Sequence, residues 1–200
     1  MKISEVKTAF KIADVEFVEG QTKLNFKYLN EIKDEHGKIL DKKILTQNFA
    51  RVYIIVVNGE IKKIGGSQDA GGIKGTLQIY QDGGIKGRPS IRSFGVWYFL
   101  YHTILTGAKI EFYMIYQENF IKKVKGLFKL HTIKNASISY KFIEQCCIAD
   151  YLGKSGGKYP EWNVQEQGAD WPMEIKTQHA EITQNAQTRK KAVKRKEVNI

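Results

Sequence analysis

The chain has 200 residues, with 32 Lys and Arg against 21 Asp and Glu, a formal charge of +11. Its 42% hydrophobic and 12% aromatic content is enough for the core of one domain of ordinary size, with or without decorations. The charge surplus argues against a basic partner and for a polyanion, through counterion release and electrostatic steering.

Cys146 and Cys147 are adjacent, so they are poorly placed for a strain-free disulfide and too few for a four-ligand zinc site. They read as small reduced hydrophobes on a helix of a cytoplasmic protein. The first residues, MKISEVKTAFKIADV, lack the apolar centre of a signal peptide. No stretch approaches the roughly 18 apolar residues of a membrane span, so no membrane partner is expected.

Residues 1–48 read as an N-terminal β-rich extension. Ala13 to Tyr28 alternates apolar and polar residues around Gly20-Gln21, as in a hairpin or two short strands. Asp34 to Gly37 reads as a turn, and Lys38 to Leu45 as a further strand. Val52 to Val57 is a β-branched run suited to a strand buried on both faces. Asn58-Gly59 then signals a tight hairpin turn, since both central residues need positive φ. Simple alternation along the return strand puts Ile61, Lys63 and Gly65 on one side, Lys62 and Ile64 on the other. Gly65-Gly66 leaves room for a close approach.

Residues 68–89 are glycine-rich, and Gly-Ile-Lys-Gly occurs twice, at 72–75 and 84–87. A P-loop needs Gly-Lys followed directly by Ser or Thr, whereas here the order is Lys74-Gly75-Thr76. The segment reads instead as a mobile loop that grips a nucleic-acid backbone with its amides and with Lys74, Lys86, Arg88 and Arg92. Ser90 to Thr106 is an aromatic-rich buried helix with Ser90 as N-cap and Gly107 as its stop. Its aromatic residues and His102 read as core. Lys109 to Tyr116 is a strand, expected at the centre of the sheet. Gln117 to Asn135 carries Lys122, Lys123, Lys125, Lys129 and Lys134 against the single acid Glu118, either a solvated face or a phosphate-contacting one.

Ser137 to Tyr151 is an amphipathic helix, with Glu144 beside its apolar edge. An acid there is either ion-paired, for instance to Lys141, or a metal ligand. Mg²⁺ commonly takes only one or two protein carboxylates. Gly153 to Gly157 breaks the helix. From 176 to 200 seven Lys and Arg face Glu181 and Glu197, a net +5. This basic tail, with Arg189, Lys190, Lys191, Lys194 and Arg195, reads as a frayed or disordered segment contacting phosphates.

The triplet Val52-Tyr53-Ile54, the triplet Lys63-Ile64-Gly65 ten residues on, and then Ser67 resemble the paired motif of the GIY-YIG nucleases. Lys63 stands where the second tyrosine is usual, as in the restriction-endonuclease branch, and Gly66 stands where some of that branch carry a histidine. The resemblance implies an α+β fold: a small mixed sheet flanked by helices, spanning 49–175 as a catalytic domain. It implies Tyr53 as general base, Lys63 as a cation that lowers the Tyr53 pKa or orients water, and Tyr80 as a hydrogen-bond donor. Glu144 would hold a single Mg²⁺ or Mn²⁺, and Asn163 would pack beside the site. The family's arginine, which clamps the scissile phosphate, falls by ungapped spacing on Lys74, with Arg88 and Arg92 as the nearby arginines.

The expectation is therefore a Mg²⁺-dependent endonuclease of double-stranded DNA, type II restriction-like, with a homodimer as the assembly that would match palindromic DNA. A phage homing or recombination nuclease and a non-catalytic basic DNA-binding protein are the alternatives.

Overall fold

The computed structural model is α+β, a five-stranded sheet with helices on both faces. It describes residues 1–85 and 87–198, with side chains described as far as 186. The main sheet has the order β2-β1-β7-β5-β6. These strands are β1 (Phe10–Glu16), β2 (Asn25–Tyr28), β5 (Ala50–Val57), β6 (Glu60–Ser67) and β7 (Ile110–Gln117). β3 (Ile32–Lys33) and β4 (Ile39–Leu40) form one small hairpin, β8 (Phe120–Lys125) and β9 (Leu130–Ala136) another. The helices are α1 (Gly72–Asp82), α2 (Ile91–Leu105), α3 (Tyr140–Lys154) and α4 (Met173–Val198). Every pairing in the main sheet is antiparallel, where the family resemblance implied a mixed sheet.

β7 is the middle strand, as expected, and the first 48 residues supply β1 and β2 to the same sheet. The strand expected over 38–45 shrinks to Ile39–Leu40. Asp41 accepts a hydrogen bond from the Lys43 N–H at 2.8 Å and starts a 3₁₀ turn over Lys42–Leu45 instead.

The β5–β6 hairpin turns at Asn58 (φ 48°) and Gly59 (φ 83°). Its register slips by one residue, so that Ile55 pairs with Lys63 but Val56 with Ile61. This bulge at Lys62 reverses the alternation beyond it. Ile61 and Ile64 therefore share one face, in a core with Val52, Ile54 and Val56. Lys63 and Gly65 turn to the other face, opposite Ile55 and Tyr53. The simple alternation read from sequence fails at this one inserted residue.

The glycine-rich segment is a helix over Gly72–Asp82 rather than a loop throughout. Ile73, Leu77 and Tyr80 recur at helical spacing and are buried along α1. The Asp69 carboxylate accepts the Gly71 N–H at 2.7 Å before the first turn. That apolar stripe outweighs the low helix propensity of the two glycines. α1, α2 and the start of α4 cover the face that carries Tyr53, Ile55 and Phe112. α3 covers the opposite face with Ile143, Cys147, Ile148 and Tyr151, leaving Phe142 and Cys146 exposed. α4 begins three residues before the expected basic tail, with Ile175 fully buried in its first turn.

Candidate active site

The end of β6 away from the turn is narrow because two glycines follow one another. A Cβ on Gly65 would enter the Tyr53 ring, and one on Gly66 would meet the Tyr140 ring and the Glu144 carboxylate. Side chains from both faces of the sheet can therefore meet around this edge. Tyr53 and Tyr80 approach from the α1 side, their hydroxyls 2.7 Å apart and buried. Glu144 approaches from α3, and its Oε1 accepts the Gly66 backbone N–H at 2.7 Å. Arg92, in the first turn of α2, joins the two sides. Its Nη2 lies 2.6 Å from Glu166 Oε1 and 3.6 Å from Glu144 Oε1. A cation at the N-terminal end of a helix opposes the helix dipole, at a cost of about 0.3–1 kcal/mol, so these two carboxylates do more than neutralise a surface charge.

Lys63 is 1% exposed, and its ammonium has weak partners, the Trp162 carbonyl at 3.4 Å and Glu166 at 3.8 Å. Burial lowers its pKa to about 8, against the raising influence of Glu166. The Tyr53 hydroxyl is held well above the ordinary tyrosine value, first by burial and then by Tyr80. The cation that most offsets this is Arg92, not Lys63 as the sequence suggested. Tyr80 is likewise raised by burial.

The segment after α3 closes the free edge of β6. The Trp162 N–H donates to the Lys62 carbonyl at 2.8 Å. The Asn163 side chain imitates a peptide, accepting from the Ile64 N–H at 2.8 Å and donating to the Ile64 carbonyl at 2.7 Å. Lys62 pairs with Glu161 at 2.9 Å. Asn163 is thus beside the cluster, fully buried, and holds the strand that carries it.

Tyr53, Lys63, Tyr80, Arg92 and Glu144 come together at this end of β6. Lys74 does not: it is exposed and lies over the Tyr28 ring, 4.9 Å from its centroid. Arg88 is exposed in the connection before α2 and has no ion pair among the described residues. Of the three clamp candidates, Arg92 is the one that lies in the cluster. Lys122, Lys123 and Lys125 lie on β8, all exposed. Lys86 lies outside the described residues, as do the side chains of Arg189, Lys190, Lys191, Lys194 and Arg195. Glu166 was not anticipated. It reaches Arg92 across 74 residues of chain, from a segment with no motif to mark it.

An open cleft of ≈ 440 Å³ borders the cluster, lined among others by Gly66, Arg92, Tyr140, Glu144 and Glu166. No group of three or more metal-ligating side chains occurs among the described residues. The donor set still suits a hard cation that keeps most of its waters. Glu144 Oε2 makes no hydrogen bond among the described residues, and the Glu166 carboxylate lines the same cleft.

No protein-family model matches the chain, and no curated protein matches it. Two solved structures overlap it loosely. One is a mutant of bacteriophage T4 EndoII, with TM-score 0.49 and 14% identity, covering 82% of this chain and 99% of that one. The other is the restriction endonuclease HPY188I in complex with product DNA, with TM-score 0.42 and 20% identity, covering 80% of this chain and 84% of that one. At such distances the functional reading rests on the chain's own residues.

Proposed function

We propose that the protein is a Mg²⁺-dependent endonuclease of double-stranded DNA, of the GIY-YIG kind and restriction-like in its specificity. The observation that carries this is the convergence of Tyr53, Lys63, Tyr80, Arg92 and Glu144 on the glycine end of β6. Phosphodiester hydrolysis needs a proton acceptor for water, a cation on the phosphate and stabilisation of the leaving oxygen. Glu144, assisted by Glu166 across the same cleft, would hold the divalent ion. When bound, that ion supplies Lewis-acid stabilisation of developing negative charge. Arg92 has the reach and charge to exchange its two carboxylates for the scissile phosphate. Tyr80 orients the Tyr53 hydroxyl, which stands in the position of the base. On this reading 1–48 is an extension, 49–175 carries the chemistry and 176–200 is a basic tail. A homodimer would match two-fold sites on DNA.

A second assignment of the base has its own support. A lysine with a pKa of about 8 is a better proton acceptor near neutral pH than a tyrosine whose hydroxyl burial holds above its ordinary value. The deciding experiment on function is cleavage of plasmid and phage DNA. Incubation with Mg²⁺ is expected to give discrete bands, and EDTA to leave the DNA intact. Glu144→Ala should abolish cutting while leaving a salt-sensitive gel shift, and Tyr53→Phe should slow it by about 10²–10⁴-fold. A smear would remove sequence specificity and favour a less selective phage nuclease. DNA bound but never cut by the unaltered chain would leave the non-catalytic DNA-binding reading.

A further inference from the structure

β8 and β9 make a two-stranded sheet that pairs with no other strand among the described residues. Every residue of β8, and every residue of β9 but Ala136, is exposed. The turn closes with the Gly126 N–H donating to the Lys129 carbonyl at 2.9 Å. Between them Leu127 and Phe128 are 94% and 96% exposed, the two most exposed large apolar residues described. Burying large apolar side chains is favourable, so an adjacent pair held out at a tip marks a surface that is covered in use.

Charge identifies what covers it. Lys125 and Lys129 flank the tip, and Lys122, Lys123 and Lys134 follow along the two strands. None of the five is ion-paired among the described residues. A second copy of this hairpin would bring like charges together, whereas a polyanion is complementary along the whole length.

Topology puts the hairpin beside the cluster. Gln117, the last residue of β7, pairs with Ala50 at the start of β5, and Arg51 pairs with Ser67 at the end of β6. The chain therefore leaves the sheet at the end where Tyr53 faces Gly65. It returns through residues 137–139 directly into α3, which carries Glu144. At about 3.3 Å per residue, the seven steps from Phe120 to Leu127 give a reach of roughly 23 Å.

We propose that the β8–β9 hairpin is a DNA arm: Leu127 and Phe128 enter the minor groove and wedge a base step apart, while the lysines lie on the flanking phosphates. Apolar wedges at minor-groove contacts unstack a step and kink the duplex toward its major groove, a deformation that extra phosphate contacts offset. The arm rests on the duplex-DNA reading above, and the test separates the two.

Relaxed plasmid is treated with a metal-independent topoisomerase in EDTA, so no cutting occurs, with the full-length protein or its Leu127→Ser/Phe128→Ser variant. The unaltered protein is expected to shift the topoisomer distribution, because wedging unwinds DNA. The variant should bind about tenfold more weakly and, at saturating concentration, leave the distribution unshifted. Both side chains are exposed, so the variant's thermal midpoint checks that folding is unchanged. A variant that shifts topoisomers like the parent overturns the arm and spares the nuclease reading. Parent protein that does not bind DNA overturns both. A variant that sediments as monomer where the parent is dimer assigns the tip to a second copy and overturns the arm.

Discussion

Burial changes the chemistry of Lys63 within reach of ordinary pH. Its pKa in the fold is about 8, against the ordinary 10.5. The unfolded chain therefore binds more protons across that window, and stability rises with pH between them. Below pH 8 both states are protonated and the full burial penalty is present; above 10.5 it is gone. Glu166, Arg92 and Glu144 are the charges that face the amine. Relative to Lys63→Met, the parent should gain on the order of 3 kcal/mol over this interval, read from urea unfolding at stepped pH. A constant difference would mean the ammonium is solvated. The same pair of proteins settles the base. If Lys63 accepts the proton, kcat/KM climbs with unit slope and levels near pH 8, and the Met variant loses that step. If Tyr53 accepts it, the climb continues past pH 8, because burial raises that hydroxyl. The resemblance carried by the two triplets singled out Tyr53 and Lys63, and Glu144 stood out as an acid on an apolar helix edge. Arg92 was one candidate among three, because spacing along a chain does not report which side chain a helix N-terminus aims at a site. Glu166 was invisible, since its partners lie 74 and 103 residues away.

The segment from Pro160 to Glu166 acts as a substitute strand along β6. Asn163 alone satisfies both the N–H and the carbonyl of Ile64, a buried residue. Asn163→Ala would leave two buried backbone groups unpaired, at about 1–3 kcal/mol each, and should lower stability by about 2–4 kcal/mol in denaturant titration. Glu166 should lose its hold on Arg92 at the same time, so activity should fall more than stability predicts. Asn163→Asp keeps the acceptor but sets a buried carboxylate against the Ile64 carbonyl, and should be at least as destabilising near neutral pH and milder at acid pH, where the protonated acid can donate. A variant as stable as the parent would show that the segment is held by Trp162 and Val164 packing instead. Element by element, the hairpin turn, α2 with its Ser90 cap, and central β7 were plain from local pattern. The bulge was not, because an inserted residue leaves no mark on composition. α1 was hidden by its glycines, although Ile73, Leu77 and Tyr80 carried the helical period.

Over the whole molecule, the class of fold followed from the resemblance carried by the two triplets, while the strand order did not. Nothing in residues 1–48 announces that β1 pairs with β7, with Phe10 opposite Met114. Charge is the molecular property that sequence reports directly, and its spatial arrangement decides how DNA would be held. If the surplus of +11 acted only as a general field, removing any three lysines would weaken DNA binding alike. If it acts through contacts at the site end of the sheet, location decides. In EDTA, the slope of log K against log salt falls by about 0.9 for each phosphate that a lysine no longer neutralises. Replacing Lys122, Lys123 and Lys125 by Gln should therefore reduce the slope by about 2–3. Replacing Lys23, Lys27 and Lys109 by Gln removes the same charge from the β2 edge and from the opposite end of β7. That variant should bind somewhat more weakly at low salt with its slope unchanged. Equal slopes in the two variants would mean that DNA is held by diffuse attraction. A reduced slope in the β8 variant alone would fix the duplex along the hairpin, with Glu144 and Arg92 at its base.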